Sequence, residues 1–288
     1  MSGFLTVSIG SGMNGTIYGE CQVPLKAFLE SRGEAFQRES LLPYLYRMEK
    51  SRHWAERYSS ETAMGDFEPV GEGGDYPKTG FEDGYFRDIV NMTFKQSFSV
   101  TQELVEDCLL GTMKQRANKL VTAYGRTREK FGRILYAGGL YGSTVTYKGK
   151  TFACGSADGQ ALFSKTHPNK VNGVKQTNLY KGTFTNTLLG KIETEMQNIK
   201  GDNGELLGVA PDTIWIPNDA ALKDAVFSAV GADKEPTSGN NAFNYQFGRW
   251  NIIVDPYLTA ALADLGKRSE KPFFLLDSKF IELNDGPI

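Results

Sequence analysis

Cysteine is scarce in this sequence, and what there is lies scattered. Cys21, Cys108 and Cys154 stand far apart. They have neither the spacing of a metal site nor the even count of a disulfide framework. Folding in a reducing, intracellular setting is therefore expected. Histidine is scarcer still, with only His53 and His167. No apolar run approaches the roughly 18 residues that a membrane span needs, so no membrane partner is expected. The opening MSGFLTVSIGSG lacks the basic n-region of a secretory signal. A net charge of −2 gives none of the global basic field that marks a dedicated nucleic-acid binder. There is no internal repeat. At 288 residues, 40% hydrophobic and 23% charged, the chain can still bury a sizeable core and hold more than one domain.

What the chain does have is an unusual succession between Ser60 and Tyr136. An acidic tongue comes first, Gly65 to Asp88, GDFEPVGEGGDYPKTGFEDGYFRD. It carries six glycines, two prolines and seven carboxylates against only Lys78 and Arg87. No period of 2 or 3.6 organises it, so it cannot bury enough apolar area to form its own core. Long structureless loops within compact domains are uncommon and usually functional. Composition leaves two readings open: an arm that lies on another molecule, or a solvated surface insertion. A strand is expected next, Ile89 to Phe98. There Val90, Met92, Phe94 and Phe98 alternate with Asn91, Thr93, Lys95 and Ser97.

One long helix should follow, from about Ser99 to about Tyr136. Ser99 and Gln102 have capping-box spacing. Leu104, Val105, Cys108, Leu109, Met113, Ala117, Leu120, Val121, Tyr124, Phe131 and Leu135 recur as one buried stripe. Acidic residues crowd its first turns. Arg126, Arg128, Lys130 and Arg133 crowd its last ones, as the helix dipole favours. Its length would be roughly 50 Å. Gly125 marks a position for a bend or break.

Several motifs fail on context. GSGMNG places Gly10, Gly12 and Gly15 in a dinucleotide-binding pattern, but no helical stripe or βαβ unit follows. His167 could join Ser164 or Asp158 as a catalytic set, yet no nucleophile elbow surrounds Ser164. Asp202-Asn203-Gly204 opens like a calcium loop but lacks the later oxygen ligands, and reads as a turn. No catalytic, cofactor-binding or metal-ligating residues are assigned, and the chain is not read as an enzyme.

The remainder reads as scattered elements before the tongue and a compact unit after the helix. Leu25 to Phe36 suits a short helix. Ser40 to Ser60 looks like a partly extended arm, with Tyr44, Tyr46 and Met48 alternating against Leu45, Arg47 and Glu49. A helix is expected from Thr183, with Phe184, Leu188, Ile192, Glu195 and Ile199 on one face. Thr213 to Pro217 reads as a strand, Asn218 to Val230 as a short helix and Gly231 to Arg249 as a polar loop. Trp250 to Asp255 and Lys271 to Asp277 supply further strands. Alternating strands and helices give an α/β or α+β unit. The polar loop carries Phe243, Tyr245 and Phe247, and suits a lid or an inter-subunit contact.

Six pieces, in order, carry a family resemblance. They are AMGDFEPVGEGGDYP, VNMTFKQSFSVTQELVEDC, LFSKTHP, GDNGELLGVAPDTIWIPNDA, NIIVDPYL and FFLLDSK, and the resemblance covers about residues 45 to 280. Together they resemble the major capsid proteins of tailed bacteriophages, with the α+β Hong Kong 97-type fold, and are most similar to Mu-like major head subunits. The resemblance implies an N-terminal arm over 1–60 and an extended loop over 61–100. A peripheral domain with its spine helix would cover 101–174, an axial domain 175–262 and a return to the peripheral domain 263–288. It also implies hexamers and pentamers of an icosahedral shell around non-specifically held double-stranded DNA. The shell would be assembled in the bacterial host cytoplasm, with portal and decoration proteins as further partners. Some members begin with a scaffolding segment; with no room for one here, a separate scaffolding protein is expected. No Lys–Asn cross-link is assigned to Lys78.

Assembly, not catalysis, is then the expected mechanism. Inter-subunit contacts are expected from Glu68, Glu72, Asp75, Tyr76 and Phe81 of the tongue, from Arg126 and Arg128, and from Phe243, Tyr245 and Phe247. The tongue carboxylates are expected to face Arg126, Arg128, Lys130 and Arg133 of an adjacent copy. Two alternatives stand beside this reading: an encapsulin-like nanocompartment shell, and a nucleotide-binding enzyme built on GSGMNG.

Overall fold

Helix α1 (Leu42–Leu45) and the paired strands β1 (Ala55–Glu61) and β2 (Asp83–Val90) precede the long helix α2 (Leu110–Gly138). Short strands β3 (Thr144–Tyr147), β4 (Lys150–Ala153), β5 (His167–Pro168) and β6 (Lys175–Gln176) follow. Then come α3 (Asn186–Gln197), β7 (Thr213–Pro217), α4 (Ala220–Gly231), β8 (Asn251–Asp255), α5 (Pro256–Asp264) and β9 (Phe274–Leu276). This computed structural model describes residues 31–34, 40–62, 64, 66–78, 80, 81, 83–97, 110–202, 204–234 and 243–279. The GSGMNG segment, Cys21, Cys108, Asn203, the capping pair Ser99 and Gln102, and the first part of the expected helix lie outside the described residues. Of the helix expected over 25–36, residues 31–34 are helical. The chain divides into two compact units, Met1–Trp54 with Val90–Gly132, and Ala55–Ile89 with Arg133–Ile288.

The second unit is built around β7. All five residues of TIWIP are buried, as suits a central strand covered on both faces. β8 pairs with β7 in parallel, Thr213 opposite Asn251 through Pro217 opposite Asp255. β9 pairs antiparallel on the other edge, with Trp215 opposite Phe274. Successive residues of β7 face opposite sides. Ile214 and Ile216 enter a core with Phe184, Leu189, Leu222, Val226, Ala229 and Val230. Trp215 meets Tyr136 at 5.2 Å and Phe274 at 5.0 Å, and Phe163 joins Phe274 at 5.3 Å. Burying such aromatic side chains is worth about 1.5–3 kcal/mol each.

The helices of this unit begin where side chains cap them. Thr185 accepts from Leu188 N at 3.1 Å to open α3. Asp219 accepts from Leu222 N at 3.0 Å to open α4. Asp255 accepts from Tyr257 N at 2.8 Å to open α5, with Pro256 in the first turn. Each cap satisfies an otherwise orphaned donor and contributes about 1 kcal/mol. The face of α3 differs from the expected one by about one residue: Leu189, Ile192 and Glu193 are buried.

Helix α2 runs unbroken through Gly125, where a bend or break was expected. Its 29 described residues measure about 43 Å. The deepest line is not the expected apolar stripe. Buried positions recur at Ala117, Val121, Gly125, Glu129, Arg133 and Ala137, while Leu120, Tyr124, Phe131 and Leu135 are half-buried. Beside that line, Gly132 lets a neighbouring segment come close. A Cβ at Gly132 would overlap the Leu42 side chain. The Tyr46 hydroxyl donates to Gly132 O at 2.7 Å, and the Ser40 hydroxyl donates to the Glu129 carboxylate.

Two expectations before the helix are corrected. Residues 42–45, expected to be partly extended, form one helical turn with Pro43 near its start. The strand expected over Ile89–Phe98 lies earlier, at Asp83–Val90, and residues 91–97 have no regular structure and are exposed. The reason is pairing. β1, which sequence periodicity did not reveal, pairs with β2, and Asn91 N still donates to Trp54 O at 2.9 Å just beyond them. Phe94 instead packs its ring 5.3 Å from Phe131.

Candidate assembly surface

β1 and β2 form the two-stranded root of the tongue. Arg57 donates to Asp88 through two bonds, at 2.6 and 2.8 Å, and the Ser60 hydroxyl donates to Tyr85 O at 3.2 Å. These pairs step in opposite directions along the two strands, which marks an antiparallel hairpin. Arg57 also lies 5.0 Å from the Phe86 ring centre, and its guanidinium holds the Asp88 carboxyl below the usual carboxylate range.

Three side chains fasten this root to the body of its unit. The Lys170 ammonium donates to Asp83 O at 2.7 Å and to Gly84 O, and sits 5.6 Å from the Tyr85 ring centre. The Tyr85 hydroxyl donates to Pro168 O at 3.2 Å. The Arg87 guanidinium donates to Gly155 O. None of the three was singled out from sequence, because each acts on a backbone carbonyl that only the folded chain brings near.

The tip is the opposite of the root. Residues 66–78, 80 and 81 are exposed and have no regular structure beyond the turn closed by Gly74 N to Gly71 O at 3.0 Å. Phe67 is 99% exposed and Tyr76 91%, with Val70 and Phe81 also exposed. Bare aromatic rings gathered on one loop mark an interaction site more often than an ordinary surface. Glu68, Glu72 and Asp75 are exposed beside them. Arg126 is exposed and Arg128 and Lys130 are half-buried. Arg133, expected as a fourth basic partner for the tongue, is not available. It is buried, and its Nε donates to Asp255 Oδ2 at 2.7 Å.

The second group of expected contact residues alternates with a buried framework. Phe243, Tyr245 and Phe247 are exposed, whereas Asn244 and Gln246 between them are 1% and 0% exposed. Asn244 Nδ2 donates to Ala229 O at 2.6 Å and to Ala232 O at 2.9 Å, tying the segment to the end of α4. Gln246 Nε2 donates to Glu193 Oε2 at 2.8 Å, and Gln246 Oε1 accepts from Trp250 Nε1 at 2.5 Å. Arg249 completes the set by donating to Glu193 Oε1 at 2.6 Å. Gly190 lacks the Cβ that would overlap the Tyr245 hydroxyl. The period-2 alternation of FNYQF was the available signal for this arrangement.

The set of His167, Ser164 and Asp158 does not come together as a catalytic one. His167 Nδ1 lies 2.7 Å from Asp158 Oδ2, as the sequence allowed, but Nε2 lies 3.2 Å from Asn178 Oδ1. Ser164 is turned to its own loop, with Thr166 N donating to its hydroxyl at 3.2 Å. The ring therefore staples the 158–178 segment and presents no nitrogen to the serine. Among the described residues no group of three or more His, Cys, Asp and Glu could hold a metal ion, and no helix is long and apolar enough to cross a membrane.

A family described as phage capsid protein matches residues 91–285. No curated protein matches the chain. Among solved structures, the chain is similar to one from the capsid of bacteriophage JBD30 decorated with minor capsid protein trimers. The TM-score is 0.51 at 15% identity, covering 76% of this chain and 90% of that one. At that identity the likeness speaks for the fold alone, an α+β capsid fold. With the family match extending over most of its length, this chain belongs to the phage capsid protein family and is a structural component of a virion.

Proposed function

We propose that the chain is the major head subunit of a tailed phage, of the Mu-like kind, with the Hong Kong 97-type partition. In this reading residues 1–60 are the N-terminal arm and 61–100 the extended loop. Residues 101–174 and 263–288 form the peripheral domain, and 175–262 the axial domain. Subunits build hexamers and pentamers of an icosahedral shell in the host cytoplasm, around double-stranded DNA held without sequence specificity. A separate scaffolding protein, a portal and decoration proteins complete the set of partners.

One observation carries this reading: a hairpin whose root is held by Lys170, Tyr85 and Arg87, and whose tip has bare aromatic rings and carboxylates. A segment that cannot bury its apolar groups internally gains order by seating them on another copy. Interfaces of roughly 1,000 Å² or more, repeated by symmetry, then sum to a stable shell. Glu68, Glu72 and Asp75 face basic groups of the adjacent subunit, with Arg126 and Arg128 the first candidates. Phe243, Tyr245 and Phe247 meet their counterparts around the capsomer axis.

Negative-stain microscopy of the purified chain, alone and with its scaffolding partner, tests the reading. Hollow shells or hexamers are the expected result, and a persistent monomer under both conditions contradicts it. Charge reversal of Arg126 and Arg128 together is expected to impair assembly; normal shells from that variant would remove them as the partners of the tongue.

A further inference from the structure

Arg126 and Arg128 offer charge to the tongue, but their guanidinium groups do not themselves supply apolar area for Phe67, Val70, Tyr76 and Phe81. A second surface does. The turn between β5 and β6 and the turn carrying residues 199–202 and 204–207 are tied into one platform. Asn169, itself buried, donates through Nδ2 to Gly201 O and Asp202 O, both at 3.1 Å. Gln176 mimics a strand partner to Lys200: Nε2 donates to Lys200 O at 2.8 Å, and Oε1 accepts from Lys200 N at 3.0 Å. The two turns therefore hold one shape before any partner arrives, which lowers the entropy cost of docking.

This platform exposes Val171, Val174, Leu206 and Leu207, the middle pair at 57% and 60%. Lys165, Lys170, Lys175 and Lys181 succeed one another with no carboxylate between them, and Lys200 adds a fifth ammonium. Asp202 and Glu205 stand in the second turn against them. The tongue tip is the converse: Asp66, Glu68, Glu72 and Asp75 surround its exposed rings, with Lys78 the one base. The platform is also continuous with the tongue's own root, since Lys170 grips Asp83 O and Pro168 receives the Tyr85 hydroxyl.

We infer that the Val171–Val174–Leu206–Leu207 platform is the seat for the tongue tip of a second copy of this chain, apolar side chains against rings and lysines against carboxylates. The inference rests on the assembly reading above and names the receiving surface within it. The connection from Glu61 to Asp83, folded back on itself, reaches roughly 30 Å. That length lets the tip stand clear of its own root and reach a second copy.

Disulfide trapping in assembled particles tests it. Leu206→Cys is combined with Phe67→Cys in one chain and with Tyr76→Cys in another, and shells are formed and then oxidised. The single variants control for the native cysteines. A ladder of covalently linked subunits from at least one double variant, absent from every single variant, is the expected result. Intact shells that give no ladder overturn this seat while leaving the assembly reading standing, and point to an external partner for the platform. Failure of the wild-type chain itself to form shells strikes the assembly reading instead. As a second readout, Val174→Asp with Leu206→Asp is expected to abolish shell formation with an unchanged circular-dichroism spectrum. Normal shells from that folded variant also overturn the seat.

Discussion

Arg133 and Asp255 form a buried ion pair, Nε to Oδ2 at 2.7 Å, with both side chains only 1% exposed. The carboxylate is shared further: Trp215 Nε1 donates to Oδ2 at 3.2 Å, and Tyr257 N donates to Oδ1 at 2.8 Å. One aspartate thus links helix α2, the central strand and the start of α5. Full hydrogen bonding is what makes a buried charge tolerable.

Removing one partner should therefore be far worse than the pair itself is helpful. Arg133→Met leaves Asp255 without its counter-charge and is expected to cost about 3–5 kcal/mol in urea unfolding. Asp255→Asn with Arg133 retained should cost a similar amount. An effect below about 1 kcal/mol for either would mean the pair is not closed in solution.

The framework beneath Phe243, Tyr245 and Phe247 predicts a different signature. Glu193→Ala deprives the fully buried Gln246 Nε2 of its acceptor and Arg249 of its carboxylate. The expected loss is about 1–3 kcal/mol. Because Trp250 donates to the same glutamine, its fluorescence should shift toward that of an exposed indole. Unchanged stability and emission would show that the aromatic segment does not depend on this carboxylate.

Asp212 predicts an acid-sensitive return of the last strand. Partial burial raises its pKa, but hydrogen bonds from the Ser278 hydroxyl and from Thr213 outweigh this and leave the group below the ordinary carboxylate value. A depressed pKa means stability that is present above the unfolded value, near pH 4, and lost as pH falls through the folded one. Asp212→Asn should narrow the gap between stability at pH 6 and at pH 3 relative to wild type. Equal pH dependence in the two proteins would refute the assignment.

Sequence reading and structure agree where local signals and burial coincide. TIWIP is a continuous apolar run, and it is the buried central strand. Phe67, Tyr76 and Phe81 sit among glycines and carboxylates, and they are exposed. The disagreements have a common cause. Strand β1 has little periodicity of its own and exists because FRDIV lies opposite it, so only a long-range pairing reveals it. Arg133 looks like a last-turn surface base, and its burial depends on an aspartate more than a hundred residues away. Lys170, Tyr85 and Arg87 act on backbone carbonyls, which carry no sequence signature. Asn244 and Gln246 are polar residues in a polar loop, and only the alternation with three aromatics hinted that they point inward.

The most direct measurement compares sedimentation of the wild-type chain with that of a variant in which residues 66–81 are replaced by a short Gly-Ser turn. The root contacts of Lys170, Tyr85 and Arg87 lie outside the deletion, so the variant should keep its circular-dichroism spectrum and thermal midpoint. Wild type is expected to sediment as capsomers or shells, and the variant as a folded monomer. A variant that assembles as readily as wild type would contradict the claim that this tip holds the particle together.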